Sequence, residues 1–266
     1  MILLLDIIEI KNKLGNGCTI PYVVWCSDNN SYVVKFPGNP EGKKTLVNEF
    51  IASRICEYLK LPIMEYKLIN VKTKDYKDYM KDDIEFVSGT AFGTVYDDNA
   101  LPILNSKMIS KTYNSYDAVK ILIFDLLIGN FDRNNGNLMI DSVTQKLIMI
   151  DHTHIFELET LWDKYQLPRV INNEFCISRL NQFNYSNIIA TFKYDKTFFD
   201  ELKLFIKRVK NIDRIYVEHI MKDIPYDWNV TADEKQLLIE FIISRFSRVD
   251  EIIELLKLNG DDNDEK

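Results

Sequence analysis

The sequence predicts an α+β protein in two unequal parts, a small β-rich region followed by a larger, mainly helical one. Runs rich in β-branched and aromatic residues, broken by Asn, Asp, Gly and Pro, dominate roughly the first hundred residues. From about residue 114 onward, apolar residues recur at helical spacing. Near the joint of the two lies a polar stretch, Asn130 to Asn137, too rich in Asn and Gly to be regular structure. The predicted division is residues 1–95, then 96–258, then an acidic, flexible tail over 259–266. A chain of 266 residues fits one to two domains.

The elements follow in order. The opening run Met1 to Ile10 is apolar, but it has no basic flank, and Asp6 and Glu9 interrupt it. It reads as a strand and not as a signal peptide. Tyr22–Cys26 and Ser31–Phe36 flank the turn-forming cluster Ser27-Asp28-Asn29-Asn30, which predicts a hairpin. The loop Pro37 to Gly42 breaks the sheet. Leu46, Phe50, Ile51, Ile55 and Leu59 then recur at helical spacing, giving a helix over about 44–60 that Pro62 ends. Tyr66–Val71 reads as a strand, the charged residues 72–83 as a loop, and Ile84–Val87 as a strand leading into a connector with Gly89 and Gly93. Ser115 is placed to cap a helix from Tyr116 to Ile128, and Gly129 to stop it. Leu138–Ile140 and Lys146–Ile150 flank Asp141 to Gln145 as a short hairpin, with Asp151 directly after it. Residues 195–258 are helical, broken at Ile224-Pro225-Tyr226-Asp227-Trp228, where Trp228 is expected at a helix–helix corner.

Composition narrows the function. Lys plus Arg is 33 against 40 Asp plus Glu, a net charge of −7. That argues against direct nucleic-acid binding, whose affinity comes from neutralising phosphates. No uninterrupted apolar stretch reaches membrane-spanning length. The four cysteines, Cys18, Cys26, Cys56 and Cys176, form no CxxC pair, which fits a reduced, cytoplasmic location better than a disulfide or zinc framework. There is no GxSxG hydrolase elbow. The basic run Lys203 to Arg214 reads as a solvated helix face, and the Tyr and Phe residues as core.

The polar stretch is where chemistry concentrates. Asp132 and Asn137 are five apart, and Asp151 lies fourteen further on, after one hairpin. Phosphoryl transfer uses this pattern: one Asp for the acceptor hydroxyl, an Asn for magnesium, and a second Asp for magnesium and ATP phosphates. Magnesium wants hard oxygen donors, and the base must stand beside the metal so that it stays free. Taken alone, the loop reads rather as a plain Asx-rich turn; the hairpin and the second Asp turn the balance toward function. A strand lysine and a helix glutamate would supply the other half, neutralising phosphate charge. Lys35 closes its strand, and Glu49 lies on the following helix, with Glu57 the weaker alternative. His152 and His154 bracket Thr153; hydrogen bonding around Asp151 suits them better than metal ligation, since His219 is the only other histidine. Ser110, Thr112 and Ser115 are candidate modification sites.

With these residues in place, the chain resembles the HipA-like protein kinases, especially the short single-chain members. The segments that carry the resemblance are Gly17–Pro21, Tyr32–Phe36, Asn48–Ala52 with Leu61-Pro62, Ile128–Arg133 with Asn137, Ile150–His152, and Ile224–Trp228. They run in family order from about residue 15 to 245. The resemblance implies a bilobal protein-kinase-like fold, with a small β-rich N-lobe and a larger helical C-lobe, binding ATP and magnesium between them. It implies phosphorylation of a protein Ser or Thr hydroxyl, with a translation component as a possible target and an antitoxin as a possible partner. By the same carry-over, Lys35 contacts ATP phosphates with Glu49 behind it, Asp132 is the catalytic base and Asn130 braces its loop. Asn137 and Asp151 bind magnesium, and Gly17 and Thr19 lie at the phosphates. Three departures stand out. Arg133-Asn134-Asn135 replaces a stretch where many relatives carry His, the Gly15–Thr19 loop is no GxGxxG, and His-Thr-His follows Asp151 in place of Phe-Gly. A small-molecule or lipid phosphotransferase on the same fold, and a silent nucleotide-binding scaffold, are the alternative readings. The intact set Lys35, Asp132, Asn137 and Asp151 speaks against the scaffold.

Overall fold

The computed structural model describes residues 4–15, 18–72, 87–180 and 185–258. Gly17, the loop expected over 73–83, the start of the strand expected at 84 and the tail from 259 lie outside the described residues.

Five strands close into a barrel in the order β1-β2-β3-β5-β4. These are β1 (Leu5–Lys13), β2 (Tyr22–Cys26), β3 (Ser31–Lys35), β4 (Tyr66–Val71) and β5 (Gly89–Val95). Every pairing is antiparallel except the closure, where β1 meets β4 in parallel through Leu5 and Ile69. The barrel interior holds Ile10, Val24, Tyr32, Val34, Ile69 and Ala91. The predicted hairpin is β2–β3, with Trp25 opposite Ser31.

β5 corrects the sequence reading. Two glycines suggested a connector, yet this segment is the strand between β3 and β4. The glycines serve close approach. A Cβ on Gly93 would stand 2.5 Å from the Ile69 side chain, and one on Gly89, at φ +152°, 2.5 Å from an Asp227 carboxylate oxygen. That carboxylate accepts the Thr90 N–H at 2.7 Å. Trp228 lies in the turn between two consecutive helices, as expected, and reaches further. Its indole N–H donates to the Thr90 carbonyl at 2.8 Å and its ring meets Phe50 edge-on. The proline-bearing break thus joins two consecutive helices and also pins the C-terminal part to β5 and the first helix.

That helix, α1 (Lys44–Leu59), is buried on nearly all sides, not on one face only. It ends at Lys60, in a left-handed conformation, before Pro62 is reached. α2 (Asp117–Ile128) is buried from Ala118 through Ile128, as an all-round apolar helix must be. Ser115 does not cap it, but Gly129 ends it at φ +70° as expected. A small sheet follows from β6 (Ala100–Pro102), β7 (Leu138–Asp141) and β8 (Leu147–Met149), with β7–β8 the expected second hairpin. The remaining helices are α3 (Leu167–Val170), α4 (Tyr185–Phe192), α5 (Lys196–Lys210), α6 (Arg214–Asp223), α7 (Ala232–Ser247) and α8 (Val249–Leu255). They share one core with α1 and α2. The result is a β-rich N-terminal region and a helical C-terminal part. No helix among the described residues is long and apolar enough to cross a membrane.

Gly129 locks α2 to the segment after β8. Phe156 N–H donates to Ile128 O at 2.8 Å and Glu157 N–H to Gly129 O at 2.9 Å. A Cβ on Gly129 would meet the Glu157 backbone nitrogen at 2.8 Å. Gly129→Ala combines left-handed strain with a backbone clash. It is expected to cost about 2 kcal/mol or more, read as a lower urea midpoint at unchanged m-value.

Candidate active site

Strand alternation places the lysine. Along β3, Tyr32 and Val34 point into the barrel, so Val33 and Lys35 share the opposite face. Both line a cavity of about 690 Å³ together with Glu49, Phe92, Ile150 and Asp151. Lys35 Nζ donates to Asp151 Oδ1 at 2.9 Å, to Thr153 Oγ1 at 2.7 Å and to Glu49 Oε1. Its three protons are thereby engaged. Burial opposes the Lys35 charge, but Asp151 and Glu49 outweigh it and hold the ammonium above the ordinary lysine value. Burial likewise works to raise both carboxylates, and Lys35 overrides it in each, leaving Glu49 and Asp151 below their ordinary values. Glu49 is buried, while the Asp151 side chain keeps 38% exposure toward the cavity, so water moderates the pull on it.

Glu49 is held from behind as well. It accepts the His152 N–H at 3.1 Å. Its neighbour Asn48 donates to the carbonyls of Thr153, at 2.6 Å, and Glu159, at 2.8 Å, and accepts the Trp162 indole N–H at 2.8 Å. The chain after β8 is thus stitched to α1. Asp151 itself sits at φ +58°, a left-handed conformation that a non-glycine residue adopts only when its surroundings enforce it. Glu57, the alternative lysine partner, instead accepts the Tyr66 hydroxyl at 2.8 Å.

The polar loop stands on a buried ion pair that the sequence reading missed. Arg133 and Asp125 are both fully buried and pair twice, Nε to Oδ2 at 3.0 Å and Nη2 to Oδ1 at 3.1 Å. Arg133 Nη1 also donates to Asn137 O at 2.9 Å and Ile150 O at 2.6 Å, tying the loop to the strand end before Asp151. Asn130 is buried beneath the loop. It donates to Asp125 at 3.0 Å and accepts the Asp132 N–H at 3.1 Å. Asn137 Nδ2 donates to Asp132 O at 2.8 Å and reaches Asp132 Oδ2 at 3.3 Å. The signal for Asp125 was present: it is a lone carboxylate within Ile121-Leu122-Ile123-Phe124-Asp125-Leu126-Leu127-Ile128. A charge in such a run needs a buried partner.

The structure therefore gathers the expected residues into two contacting groups, Lys35–Glu49–Asp151 and Asn130–Asp132–Asn137, joined through Arg133. Thr19 is buried and does not line the cavity, whereas Leu14, Gly15 and Pro21 of the β1–β2 connection do. Thr153 enters the lysine group, His154 reaches Asp132, and Glu41 holds the far side of His154; the sequence assigned none of these three to the site. His154 Nδ1 lies 3.4 Å from Asp132 Oδ2, and Nε2 lies 3.2 Å from both oxygens of Glu41. The Asp132 contact, against some burial and with Glu41 assisting, raises His154 to about 9.

A small barrel packed on helices, a buried lysine–carboxylate pair on the wall of a cavity that Gly136 also lines, and an Asp-bearing loop tied to that wall through Arg133 fit a kinase-like phosphotransferase. A model of the HipA-like kinase family matches residues 7–254, and the chain belongs to that family. The fold is shared with the Helicobacter pylori proinflammatory kinase CtkA, at a TM-score of 0.60 and 18% identity, covering 97% of this chain and 99% of that one. More distant likenesses include HipA of Shewanella oneidensis MR-1, solved with HipB and operator DNA, at 12% identity and a TM-score of 0.46. That match covers 94% of this chain and 68% of HipA. The open conformation of CtTel1 gives 14% identity and a TM-score of 0.47 over 91% of this chain and 11% of its own. No curated protein matches the sequence.

Two outcomes follow from this geometry. Arg133→Met strands the buried Asp125 carboxylate and is expected to lower stability by about 3–5 kcal/mol in chemical denaturation. His154 is expected to titrate near 9 in the imidazole proton NMR spectrum. A raised value means that its charged contacts stabilise the fold fully below the unfolded histidine value of about 6.5, and that this contribution is lost as pH rises through about 9. A midpoint at or below the unfolded value would contradict the bridge to Asp132 and Glu41.

Proposed function

We propose that the protein is a magnesium-dependent kinase that transfers the γ-phosphoryl group of ATP to a Ser or Thr hydroxyl of a protein. In this reading the barrel part and the helical part act as two lobes around the nucleotide. One observation carries the proposal: Lys35 and Asp151, 116 positions apart, meet at 2.9 Å on the wall of a cavity of about 690 Å³. That volume lies within the range of small-molecule and cofactor sites.

The residues present fit the nucleotide and its metal. Val33, Phe92, Met139 and Ile150 give the cavity apolar walls suited to a base. Asp151 uses Oδ1 for Lys35 and the Thr153 N–H, and Oδ2 carries no hydrogen bond among the described residues. Asn137 uses Nδ2 on Asp132, which leaves Oδ1. One carboxylate oxygen and one amide oxygen are the hard donors magnesium takes when phosphates and water complete its shell. No cluster of three or more His, Cys, Asp or Glu arranged to hold a metal occurs among the described residues, and this mode needs none. Magnesium held there would neutralise phosphate charge as the bond to the leaving oxygen breaks.

The chain's own residues then divide the work. Lys35, fixed by Glu49, balances the α- and β-phosphates. Asp132 accepts the proton of the acceptor hydroxyl as it attacks. Asn130 and Arg133 keep the loop in place from below. Most of the acceleration comes from positioning and fixed charge. The family resemblance offers a translation component as one candidate acceptor and an antitoxin as one candidate partner, with the cytoplasm as the place of work.

Purified wild type, Asp132→Ala and Asp151→Ala, incubated with magnesium, γ-labelled ATP and cell lysate, test the reading. Asp132→Ala should lose at least about 100-fold in transfer while still binding ATP. Asp151→Ala should weaken magnesium-dependent ATP binding itself. Full transfer by both variants would refute the assignment. Label appearing only on small alcohols would move the function to a small-molecule phosphotransferase.

A further inference from the structure

We propose that His154, held by Glu41, is a positioning residue that fixes the rotamer of Asp132 and reserves Asp132 Oδ1 for the acceptor hydroxyl. This rests on reading Asp132 as the base. The contacts are asymmetric. Asp132 Oδ2 takes both His154 Nδ1, at 3.4 Å, and Asn137 Nδ2, at 3.3 Å, whereas Oδ1 takes neither. The Asp132 side chain is 42% exposed and stands on a loop. Two donors on one oxygen supply the missing constraint.

The far side of His154 is anchored with equal care. Its Nε2 sits 3.2 Å from each Glu41 oxygen, and Glu41 is 113 positions away in sequence. Glu41 stands on a rigid turn. Asn39 is buried, donates to Phe36 O at 2.7 Å and Gly42 O at 3.1 Å, and accepts the Glu41 N–H at 3.0 Å. This turn begins directly after β3, the strand that ends in Lys35. The Glu41–His154 bridge therefore sets the acceptor-side carboxylate in register with the phosphate-side lysine. With both ring nitrogens on carboxylates, His154 donates in both directions as an imidazolium, and it separates two anions that would otherwise repel. In-line transfer punishes misplacement of the base by an ångström about 100-fold.

The test uses full-length protein with magnesium, varied ATP and a heat-treated cell lysate as acceptor, scoring initial rates. His154→Ala should lower apparent kcat about 10–100-fold with KM for ATP nearly unchanged. The amide nitrogen of Asn falls near the imidazole Nδ1 position and that of Gln near Nε2. His154→Asn should therefore restore most of the rate and His154→Gln should not. Should the alanine variant fail to fold, the Asn and Gln pair decides. A His154→Ala rate equal to wild type overturns the proposal, as does a loss carried by KM for ATP, or equal activity of the Asn and Gln variants. Asp132→Asn separates the two readings: if it keeps transfer, the base assignment itself falls; if it is inactive while His154→Ala is normal, only the positioning role does.

Discussion

An ammonium group inside a protein is tolerable only where anions face it, and this requirement organises the molecule around Lys35. Glu49 alone would neutralise it from within the N-terminal region. The second anion, Asp151, comes from the other part of the chain, and Thr153 comes with it. Placing them there forces the segment after β8 to turn sharply, with Asp151 at φ +58° and Phe156, Glu157 and Glu159 also left-handed. Asn48, Trp162 and Gly129 then hold that segment against α1 and the end of α2. Strain in the backbone and charge in the cleft support one another.

A second ionic centre does for the loop what the first does for the cleft. Asp125 and Arg133 satisfy each other out of water, and the spare Arg133 donor reaches the carbonyls of Asn137 and Ile150. In the proposed reading the polar loop is consequently both an Asx-rich turn and the catalytic loop. Asn134 makes the local turn by accepting Gly136 N–H at 2.8 Å, while Asn137 ties itself to Asp132 through its amide nitrogen. The two readings of the loop that the sequence left in competition are compatible once a buried pair carries the structural duty.

Much of this was legible from the chain. The β2–β3 and β7–β8 hairpins, α1 and α2 follow from residue patterning, because alternation and helical spacing are local signals. The pairing of Lys35 with Glu49 followed from their order on a strand and the next helix. β5 was hidden because its glycines, needed for packing against Ile69 and Asp227, look like loop residues when neighbours are unknown. The Arg133–Asp125 pair was hidden for a related reason: each half reads as an exception until the fold brings them together. Glu41 and His154 are separated by 113 positions and share no periodicity, so only the tertiary structure relates them.

The closed barrel has a consequence for how this protein meets others. Among the described residues each barrel strand has a neighbour on both sides, with β1 and β4 meeting at Leu5–Ile69 and Asp6–Asn70, so closure shortens the row of free N–H and C=O groups that a partner strand could extend. The three-stranded sheet is guarded in its own way. Pro102 removes an N–H from β6, and Met149 of β8 is already bridged to Ile63. In the proposed reading, recognition of the acceptor then falls to side chains on the loops and helices around the cavity mouth.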